Sequence, residues 1–211
     1  MRERQPPTAG TEQVRRYYDE SAPQYDGWLQ RFDRVMLDDR RRALCERARG
    51  RTLEVAVGTG ANLVHYGACV ELTGIDLSAG MLALARRRAE SLELRVELEV
   101  GDAENLAARD GTFDTVVATL LLSTVPNPRR AASEMCRVLK PDGLLLLLDM
   151  ARSPVAPVRW VQHVIEPVTT RFSRFSLLRD PLDYLAELGF VVDEHERARG
   201  GIIEQVVARK A

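Results

Sequence analysis

A short turn with two glycines separates two apolar stretches in the segment LEVAVGTGANL, residues 53–63. The first stretch has the pattern of a buried strand, and the second predicts a helix. Gly58 and Gly60 allow backbone conformations that side chains obstruct, so a ligand can approach this backbone closely. Amides at the start of the predicted helix can then face a ligand carboxylate or phosphate. A glycine turn alone is as typical of plain strand-to-helix topology, so its neighbours must decide its role.

Acidic side chains close the strands that neighbour this turn. Asp76 ends the stretch VELTGID, 22 positions after Glu54, and Asp102 follows the third strand in GDAENL. At the shared edge of a parallel sheet, Asp76 is suited to accept hydrogen bonds from ribose hydroxyls and Asp102 to receive an adenine amino group. Leu77 and Met81 add apolar surface for a purine. Each carboxylate alone is equally typical of a helix cap, but three on one edge favour a nucleoside site.

Details of the turn distinguish between nucleoside ligands. A dinucleotide-binding turn reads G-x-G-x-x-G, whereas Leu63 stands at the third glycine position. The carboxylate of Glu54 would repel a pyrophosphate and is better explained by an ammonium group. A ligand that joins adenosine to an ammonium and a carboxylate is S-adenosylmethionine, whose product is S-adenosylhomocysteine. The sequence therefore predicts this cofactor, and its three cysteines show no metal-ligand spacing.

Alternating strands and helices position this edge. Apolar strand patterns recur in TLEVAVG, VELTGID, LRVELEVGD, FDTVVATLLL and GLLLLLDM, with helical patterns between them. The alternation predicts a parallel sheet with helices on both faces. The last two runs, FVVDEHERA and GIIEQVVARK, meet at Gly200 and Gly201 and predict an antiparallel hairpin. The predicted fold class is a single Rossmann-like, doubly wound α/β sheet of seven mostly parallel strands, with this hairpin and an N-terminal helical lid.

The chain is predicted to form one domain behind a short lead-in. Residues 1–10 combine prolines and a glycine with polar neighbours and predict disorder. A single domain follows over residues 11–211. Its predicted parts are a helical lid split at Pro23, a cofactor-binding core, a substrate cover, and a last helix with the hairpin, over residues 11–49, 50–150, 151–180 and 181–211.

The composition argues against several kinds of partner. The 30 basic and 31 acidic residues are scattered along the chain, so no basic stripe indicates a nucleic-acid surface. No segment approaches the roughly 20 apolar residues that cross a bilayer, and the start of the chain lacks a signal-peptide core. We therefore expect a cytoplasmic protein, with peripheral membrane contact if its substrate is a lipid. Widely separated Cys45, Cys69 and Cys136 fit a reducing compartment. The oligomeric state stays open.

Taken together, these motifs resemble the class I S-adenosylmethionine-dependent methyltransferases. The matching stretches are LEVAVGTG, GIDLSAGML, GDAENL, FDTVVATLLLSTVPNP and RVLKPDGLLLLL, which cover about residues 50–150 in family order. Upstream, YYDESAPQYD is similar to a segment of the quinone-biosynthesis methyltransferases. The short C-terminal half resembles bacterial phospholipid N-methyltransferases and small thiol or quinone methyltransferases. Ala56 replaces the first glycine of the family, which we expect to be tolerated if its backbone stays in the β region.

The resemblance implies roles for the residues of this edge. Tyr18 and Tyr25 would lie near the methionine part of the cofactor, and Thr119 and Leu120 would line its junction with the substrate. The complete implied cofactor-binding set is Tyr18, Tyr25, Glu54, Gly58, Gly60, Asp76, Leu77, Met81, Asp102, Ala103, Thr119 and Leu120.

The segment after the fourth strand constrains the acceptor. Many small-molecule relatives carry a histidine there, whereas this chain has Ser123 and Thr124, which are not bases near neutral pH. A nitrogen, sulfur or activated carbon nucleophile is therefore favoured over a plain hydroxyl, on a small and mainly apolar acceptor. The alternatives are a phospholipid headgroup nitrogen and, from another class, a non-catalytic binding module of the same fold. No catalytic residue is assigned.

Two covering segments are predicted to form the substrate pocket. Tyr25 comes from the lid, and Trp160, His163 and Arg171 come from the insertion after the fifth strand. Together they would make an apolar pocket with a cationic rim. The alternative for the insertion is an amphipathic lid packed on the sheet, with His163 at a surface position of a helix.

Overall fold

A computed structural model describes residues 8–211 and places seven strands in one sheet, in the order β3-β2-β1-β4-β5-β7-β6. The strands from β1 to β5 pair in parallel, and β7 pairs antiparallel with both β5 and β6. The predicted fold class is confirmed, including the C-terminal hairpin. The strands are β1 (Arg51–Val55), β2 (Glu71–Asp76), β3 (Val96–Val100), β4 (Phe113–Thr119), β5 (Leu139–Met150), β6 (Phe190–Ala198) and β7 (Ile203–Lys210).

Six α-helices surround the described sheet: α1 (Ala9–Phe32), α2 (Arg40–Cys45), α3 (Ala79–Ser91), α4 (Pro128–Val138), α5 (Ala156–Val168) and α6 (Pro181–Glu187). π-helical turns follow α1 and α5, at Asp33–Leu37 and Thr169–Ser173. Within residues 8–211, no helix has the length and apolarity that a membrane crossing requires. The same residues contain no group of three or more histidine, cysteine, aspartate or glutamate side chains arranged to hold a metal ion.

The core lies on both faces of β5. Leu145 and Leu147 are fully buried on the face that α4 and α6 cover, and Leu146 and Leu148 are fully buried on the face toward α2. Successive strand side chains point to opposite faces, so an unbroken run of leucines fills both layers. This packing fixes the strand ends that carry the predicted site.

The N-terminal segment differs from its prediction. Helix α1 runs unbroken for 24 residues with Pro23 inside it, so the predicted split at this proline is wrong. Buried Ala22 and Leu29 hold the helix on both sides of the proline, and this packing outweighs the hydrogen bond that proline cannot donate. Thr8 caps the helix by accepting a hydrogen bond from the Thr11 amide, so residues 8–10 are ordered where disorder was expected. Residues 1–7 of the predicted lead-in lie outside the described residues.

No α-helix follows the glycine turn. Residues 56–62 form consecutive tight turns, in which the amide of Gly60 donates to the Val57 carbonyl and the amide of Leu63 to the Gly60 carbonyl. A single 3₁₀ turn, Leu63–His65, ends the segment. The expected helix is wrong because these i to i+3 bonds use the backbone groups with which an α-helix would begin.

Two carboxylates of helix α1 bind it to α3 over the carboxyl edge of the sheet. The Oδ1 atom of Asp19 accepts hydrogen bonds from the hydroxyl of Ser78 at 2.6 Å and the amide of Gly80 at 3.1 Å, at the start of α3. Further along α1, Asp26 pairs with Arg88 of α3 at 2.7 Å. The negative charge of Asp19 is favourable at a helix N-terminus. Asp19 therefore fixes where α1 crosses the edge.

We predict that Asp19→Ala loosens α1 before the sheet unfolds. Losing these charged hydrogen bonds should lower the free energy of unfolding by about 1 to 3 kcal/mol. Trypsin should also cut at Arg15 and Arg16 several times faster than in the unchanged protein, while circular dichroism shows the sheet intact. Gln30→Ala, an exposed change on the same helix, is the control. Equal stability and equal cleavage of the two variants would show that Asp19 does not hold the helix.

Candidate active site

A cleft of about 880 Å³ opens at the carboxyl ends of β1 to β4, beneath α1. It lies where the strand order reverses between β1 and β4, the usual ligand position in such sheets. Eleven of the twelve predicted cofactor-binding residues line it: Tyr18, Tyr25, Glu54, Gly58, Asp76, Leu77, Met81, Asp102, Ala103, Thr119 and Leu120. The remaining residue, Gly60, is buried within the turn and does not line the cleft.

The two glycines of the turn have different surroundings. Gly58 has a φ of +56°, and a Cβ atom added to it would meet no atom within 4 Å, so its bare face is open to the cleft. Gly60 has a φ of +79°, and an added Cβ would lie 2.7 Å from the Leu63 side chain. Gly58 thus leaves room for a ligand beside the backbone, whereas Gly60 allows the turn to pack on the protein.

Two non-glycine residues of the cleft have left-handed backbone conformations. Ala56 has a φ of +61° and Leu120 a φ of +56°, directly after β1 and β4. The condition under which Ala56 was expected to be tolerated, a backbone in the β region, is therefore not met. Each such residue costs on the order of 1 kcal/mol or more, and strain of this kind concentrates at ligand sites. The buried strands on either side impose these turns.

Asp76 joins the ends of β1 and β2. Its Oδ2 atom accepts a hydrogen bond from the Gly58 amide and its Oδ1 atom one from the Ser78 amide, both at 2.8 Å. Burial raises the pKa of this carboxyl to about 6, although these amide bonds lower it. Each carboxylate oxygen has a further lone pair, so Asp76 can still accept hydrogen bonds from the hydroxyls of a ribose.

Glu54 is buried at the other end of the cleft. Its Oε1 accepts a hydrogen bond from the Asn62 side chain at 2.8 Å, and its Oε2 accepts one from the Tyr66 hydroxyl at 2.9 Å. Burial raises the pKa of the Glu54 carboxyl to about 7, against the lowering effect of these bonds and of the Arg41 charge. A buried carboxylate with a raised pKa is stabilised by a cation, which fits the ammonium group of an amino-acid tail.

Arg41 is a cleft residue that the sequence reasoning missed. Only 8% of it is exposed, and it pairs with Asp33 at 2.8 Å while donating to the side-chain oxygen Oδ1 of Asn62 at 2.9 Å. Arg41 and Glu54 both line the cleft, so its tail end carries one cationic and one anionic side chain. This pair suits a zwitterionic ligand. Arg41 stands in the run DDRRR, where nothing distinguishes it from its neighbours in the sequence.

At the opposite end, the third strand supplies a shallow apolar floor. Ala103 is buried there beside Asp102, whose Oδ1 atom accepts a hydrogen bond from the Glu104 amide at 2.8 Å. The side chain of Met81 is 1% exposed, and Leu77 lines the same end of the cleft. A flat apolar group with a polar edge, such as adenine, fits these residues.

A second cavity adjoins the first. Tyr18, Tyr25, Leu120 and Thr124 line both spaces. Burial raises the pKa of the Tyr18 and Tyr25 hydroxyls well above the ordinary value, so both stay protonated. Aromatic rings dominate the lining of the second cavity: Tyr17, Tyr18, Tyr25, Trp28, Phe32 and Phe175.

The predicted pocket residues of the insertion do not join Tyr25. Trp160 is 69% exposed, and His163 and Arg171 are exposed as well; none of the three lines either cavity. The reason is Gln162, which is 2% exposed and bonds the carbonyls of Ala151 and Leu177, so it fixes the inward face of α5. The insertion instead covers the second cavity with Ser173 and Phe175.

Asp149 is a second residue that sequence reasoning missed. It is fully buried after the leucine run of β5, and its oxygens accept from the amides of Leu122 at 2.6 Å, Ser123 at 3.3 Å and Met150 at 2.8 Å. Burial raises its pKa to about 6. Asp149 holds the turn that carries Ser123 toward the second cavity. The acid at a strand end, used for Asp76, was the signal that could have identified it.

Comparisons with known proteins identify the family to which the chain belongs. Residues 53–147 match the family described as methyltransferase domain. A phosphatidylethanolamine N-methyltransferase of Cereibacter sphaeroides is 39% identical over 178 residues, which cover 81% of this chain and 86% of the relative. A demethylmenaquinone methyltransferase of Paenarthrobacter aurescens (strain TC1) is 30% identical over 188 residues, covering 83% of this chain and 71% of the relative.

A solved structure shows the same fold at lower identity. It is a SAM-dependent methyltransferase of Thermotoga maritima, described as a possible histamine N-methyltransferase, with a TM-score of 0.73 and 21% identity. The match covers 93% of this chain and 99% of that chain. With two relatives aligned along most of the chain and a cleft that fits adenosine joined to an amino-acid tail, the methyl donor is S-adenosylmethionine. The chain is an enzyme that belongs to the class I S-adenosylmethionine-dependent methyltransferases.

Proposed function

We propose that the enzyme methylates the headgroup nitrogen of phosphatidylethanolamine. The observation that carries the proposal is the aromatic cavity beside the methionine end of the cofactor cleft. The similarity to the phosphatidylethanolamine N-methyltransferase of Cereibacter sphaeroides supports the same acceptor. The acceptor is thus a lipid whose reactive atom is an amine nitrogen, one of the nucleophiles that the sequence favours.

The aromatic rings of the second cavity suit a cationic headgroup. Tyr18 and Tyr25 meet edge to face with ring centroids 5.9 Å apart, and Trp28 stacks on Phe32 at 5.1 Å. A cation over such rings is attracted to their π-faces by about 0.5 to 2 kcal/mol. The exposed carboxylate of Glu20 also lines this cavity and adds a negative charge at its rim. Methylation leaves the nitrogen cationic, so the same rings can hold each successive product.

The tyrosine hydroxyls are placed to orient the nucleophile. Because burial raises their pKa, Tyr18 and Tyr25 remain neutral, and their oxygens can accept hydrogen bonds from an amine N–H. Such bonds would orient the amine, once its ammonium form has lost a proton to solvent, so that the remaining lone pair can face the methyl group where the two cavities adjoin. When bound, S-adenosylmethionine supplies an electrophilic methyl group on a sulfonium. Alignment and exclusion of water are then the main tasks of the surrounding residues.

A quinone-ring carbon is the second candidate acceptor. The relative from Paenarthrobacter aurescens is a demethylmenaquinone methyltransferase, and aromatic side chains also pack well on a flat ring. The rim carboxylate of Glu20 favours the amine, because a neutral quinone gains nothing from a negative charge. The two candidates are separated by direct assay.

We predict that cofactor binding releases a proton from Glu54. The free carboxyl has a pKa of about 7, and the ammonium group stabilises its charged form, so binding lowers that pKa. Affinity should therefore approach its full value well above pH 7 and fall by about five- to tenfold between pH 7.5 and pH 6. Calorimetry with S-adenosylhomocysteine, in buffers of different ionisation enthalpy, measures both the proton release and the affinity.

Two variants test the source of this proton. Glu54→Gln should bind the ligand at least tenfold more weakly and lose most of the proton release at pH 7. Glu71→Gln, at an exposed glutamate that begins β2, should behave like the unchanged protein. If Glu54→Gln released as many protons as the unchanged protein, the release would come from another group. The ammonium would then not bind at Glu54.

We predict that Trp28→Ala weakens binding of the acceptor and does not change binding of the cofactor. Trp28 lines only the second cavity, so the KM for phosphatidylethanolamine vesicles should rise by about 2- to 30-fold. The dissociation constant of S-adenosylhomocysteine should stay within twofold. Trp28→Phe keeps an aromatic face and should restore most of the loss.

The acceptor itself is identified by transfer of labelled methyl groups and mass spectrometry of the products. Vesicles that contain phosphatidylethanolamine are assayed beside a demethylmenaquinone in detergent, with equal enzyme and cofactor. Methylated ethanolamine headgroups are the expected products. Methylation of the quinone alone would reject the proposal in favour of the second candidate.

A further inference from the structure

The apolar face of α5 points away from the protein. Gln162 and Glu166 bond back to the domain, whereas Trp160, Val164 and Val168 on the other side are 69%, 56% and 57% exposed. A surface helix normally has the reverse arrangement, with its apolar stripe on the core. The exterior of α5 is therefore built for an apolar environment that the described chain does not supply.

This face continues beyond the helix. Within residues 8–211, fifteen large apolar residues are exposed, and seven of them lie between positions 155 and 172: Val155, Trp160, Val161, Val164, Ile165, Val168 and Phe172. On a helical projection with 100° per residue, Trp160, Val161, Val164 and Val168 fall within one outward arc of α5 that holds no charged residue. Contiguous patches of this kind mark interaction sites.

The charges around the patch are cationic. Residues 151–179 contain five arginines and a single acidic residue, Glu166, although the whole chain has a net charge of −1. Of these arginines, Arg152 pairs with Asp180 and Arg179 donates to the Val125 carbonyl inside the domain, which leaves Arg159, Arg171 and Arg174. The Glu166 carboxylate accepts hydrogen bonds from the Ser176 hydroxyl at 2.6 Å and the Leu177 amide at 2.7 Å, and is directed into the domain. Arg171 is exposed beside Phe172. An apolar face with a basic border complements an anionic lipid surface.

The patch is continuous with the acceptor cavity. The π-helical turn that ends α5, Thr169–Ser173, contributes Ser173 to the cavity lining, and Phe175 follows two residues later. Arg174, between them, donates to the Gln13 side chain of α1 at 3.4 Å. The segment that carries the exposed face therefore also borders the cavity that receives the acceptor.

We propose that α5 and its π-helical turn insert their outward apolar face into the surface of an anionic phospholipid bilayer. This inference rests on the proposed function and deepens it, because it brings the mouth of the acceptor cavity to the headgroup layer. Trp160, Val164, Val168 and Phe172 enter the acyl boundary, while Arg171 and its basic neighbours meet lipid phosphates. The chain lies on the membrane and does not span it.

Vesicles without any acceptor lipid test the surface directly. The probe is a one-to-one mixture of phosphatidylglycerol and phosphatidylcholine, with binding measured by cosedimentation. In a Trp28→Phe background, Trp160 is the single tryptophan, and its fluorescence should shift to the blue as the vesicles are added. Binding should fall several-fold in 0.5 M salt, because salt shortens the distance over which the arginines attract lipid phosphates to the order of a few ångströms. Pure phosphatidylcholine vesicles should bind much less.

A matched pair of charge substitutions locates the contact. Val164→Asp places a carboxylate in the centre of the patch and should weaken vesicle binding at least tenfold. Val191→Asp makes the same change at a valine of β6 that is 49% exposed, against 56% for Val164, and should leave binding unchanged. Both variants should have the circular dichroism and cofactor affinity of the unchanged protein.

A short-chain phosphatidylethanolamine, kept monomeric in solution, separates this inference from the proposed function. Val164→Asp should methylate this soluble acceptor at the normal rate and lose activity only on vesicles. Vesicle binding without methylation of any phosphatidylethanolamine would reject the proposed function but would still support membrane binding through α5. Equal vesicle binding by the two aspartate variants would show that the outward face of α5 does not contact the membrane. A dimer in analytical ultracentrifugation that Val164→Asp dissociates, with no vesicle binding, would also show this and would assign the face to a second copy.

Discussion

Two carboxylates are buried at the carboxyl edge of the sheet, and the surrounding structure depends on the cost of their charge. Glu54 and Asp76 lie at the ends of β1 and β2, where burial raises the pKa of both. Burying an ionised carboxylate is unfavourable unless hydrogen bonds or a cation compensate it. Backbone amides compensate Asp76, and a tyrosine and an asparagine partly compensate Glu54. A cationic amino-acid tail and a neighbouring ribose can compensate the part of the carboxylate charge that the protein leaves uncompensated.

The need to compensate these buried charges also explains the geometry around the cleft. The amide of Gly58 can reach Asp76 only because the turn after β1 is tight, and Ala56 has a left-handed conformation at the start of that turn. Strain at Ala56 and Leu120 is maintained by the fully buried leucines of β5, which leave the strand ends little freedom. Rigid strands therefore supply the cofactor site, and a helix supplies its roof.

Helix α1 and the insertion connect this site to an acceptor. Tyr18, Tyr25, Leu120 and Thr124 line both the cleft and the second cavity, so the two spaces adjoin at these side chains, where the proposed acceptor would meet the methyl group. Such an arrangement requires the lid to be fixed in position, which Asp19 does at the start of α3. The outward apolar face of α5 lies beside the opening of the acceptor cavity, where a lipid headgroup would enter.

The sequence predicted the sheet and most of the cleft, because strand ends, glycines and acids are local signals. Asp76 and Asp102 could be placed on one edge from topology alone, and Asp149 carried the same signal. Arg41 and Asn62 could not be identified as site residues from the sequence, because their roles come from contacts between distant segments. The insertion was misplaced for a related reason: its apolar spacing indicates an amphipathic helix, but only Gln162 and its partners determine which face turns inward.

We infer from the strand-end acids and the aromatic cavity that a cofactor with its ammonium group on Glu54 meets an amine headgroup where Tyr18 and Tyr25 line both spaces. A crystal structure with S-adenosylhomocysteine and a short-chain phosphatidylethanolamine tests this claim most directly. The account predicts the cofactor ammonium in hydrogen-bond contact with Glu54 and the headgroup nitrogen among the rings of Tyr18, Tyr25 and Trp28. A cofactor tail directed away from Glu54, or a headgroup bound outside the second cavity, would contradict it.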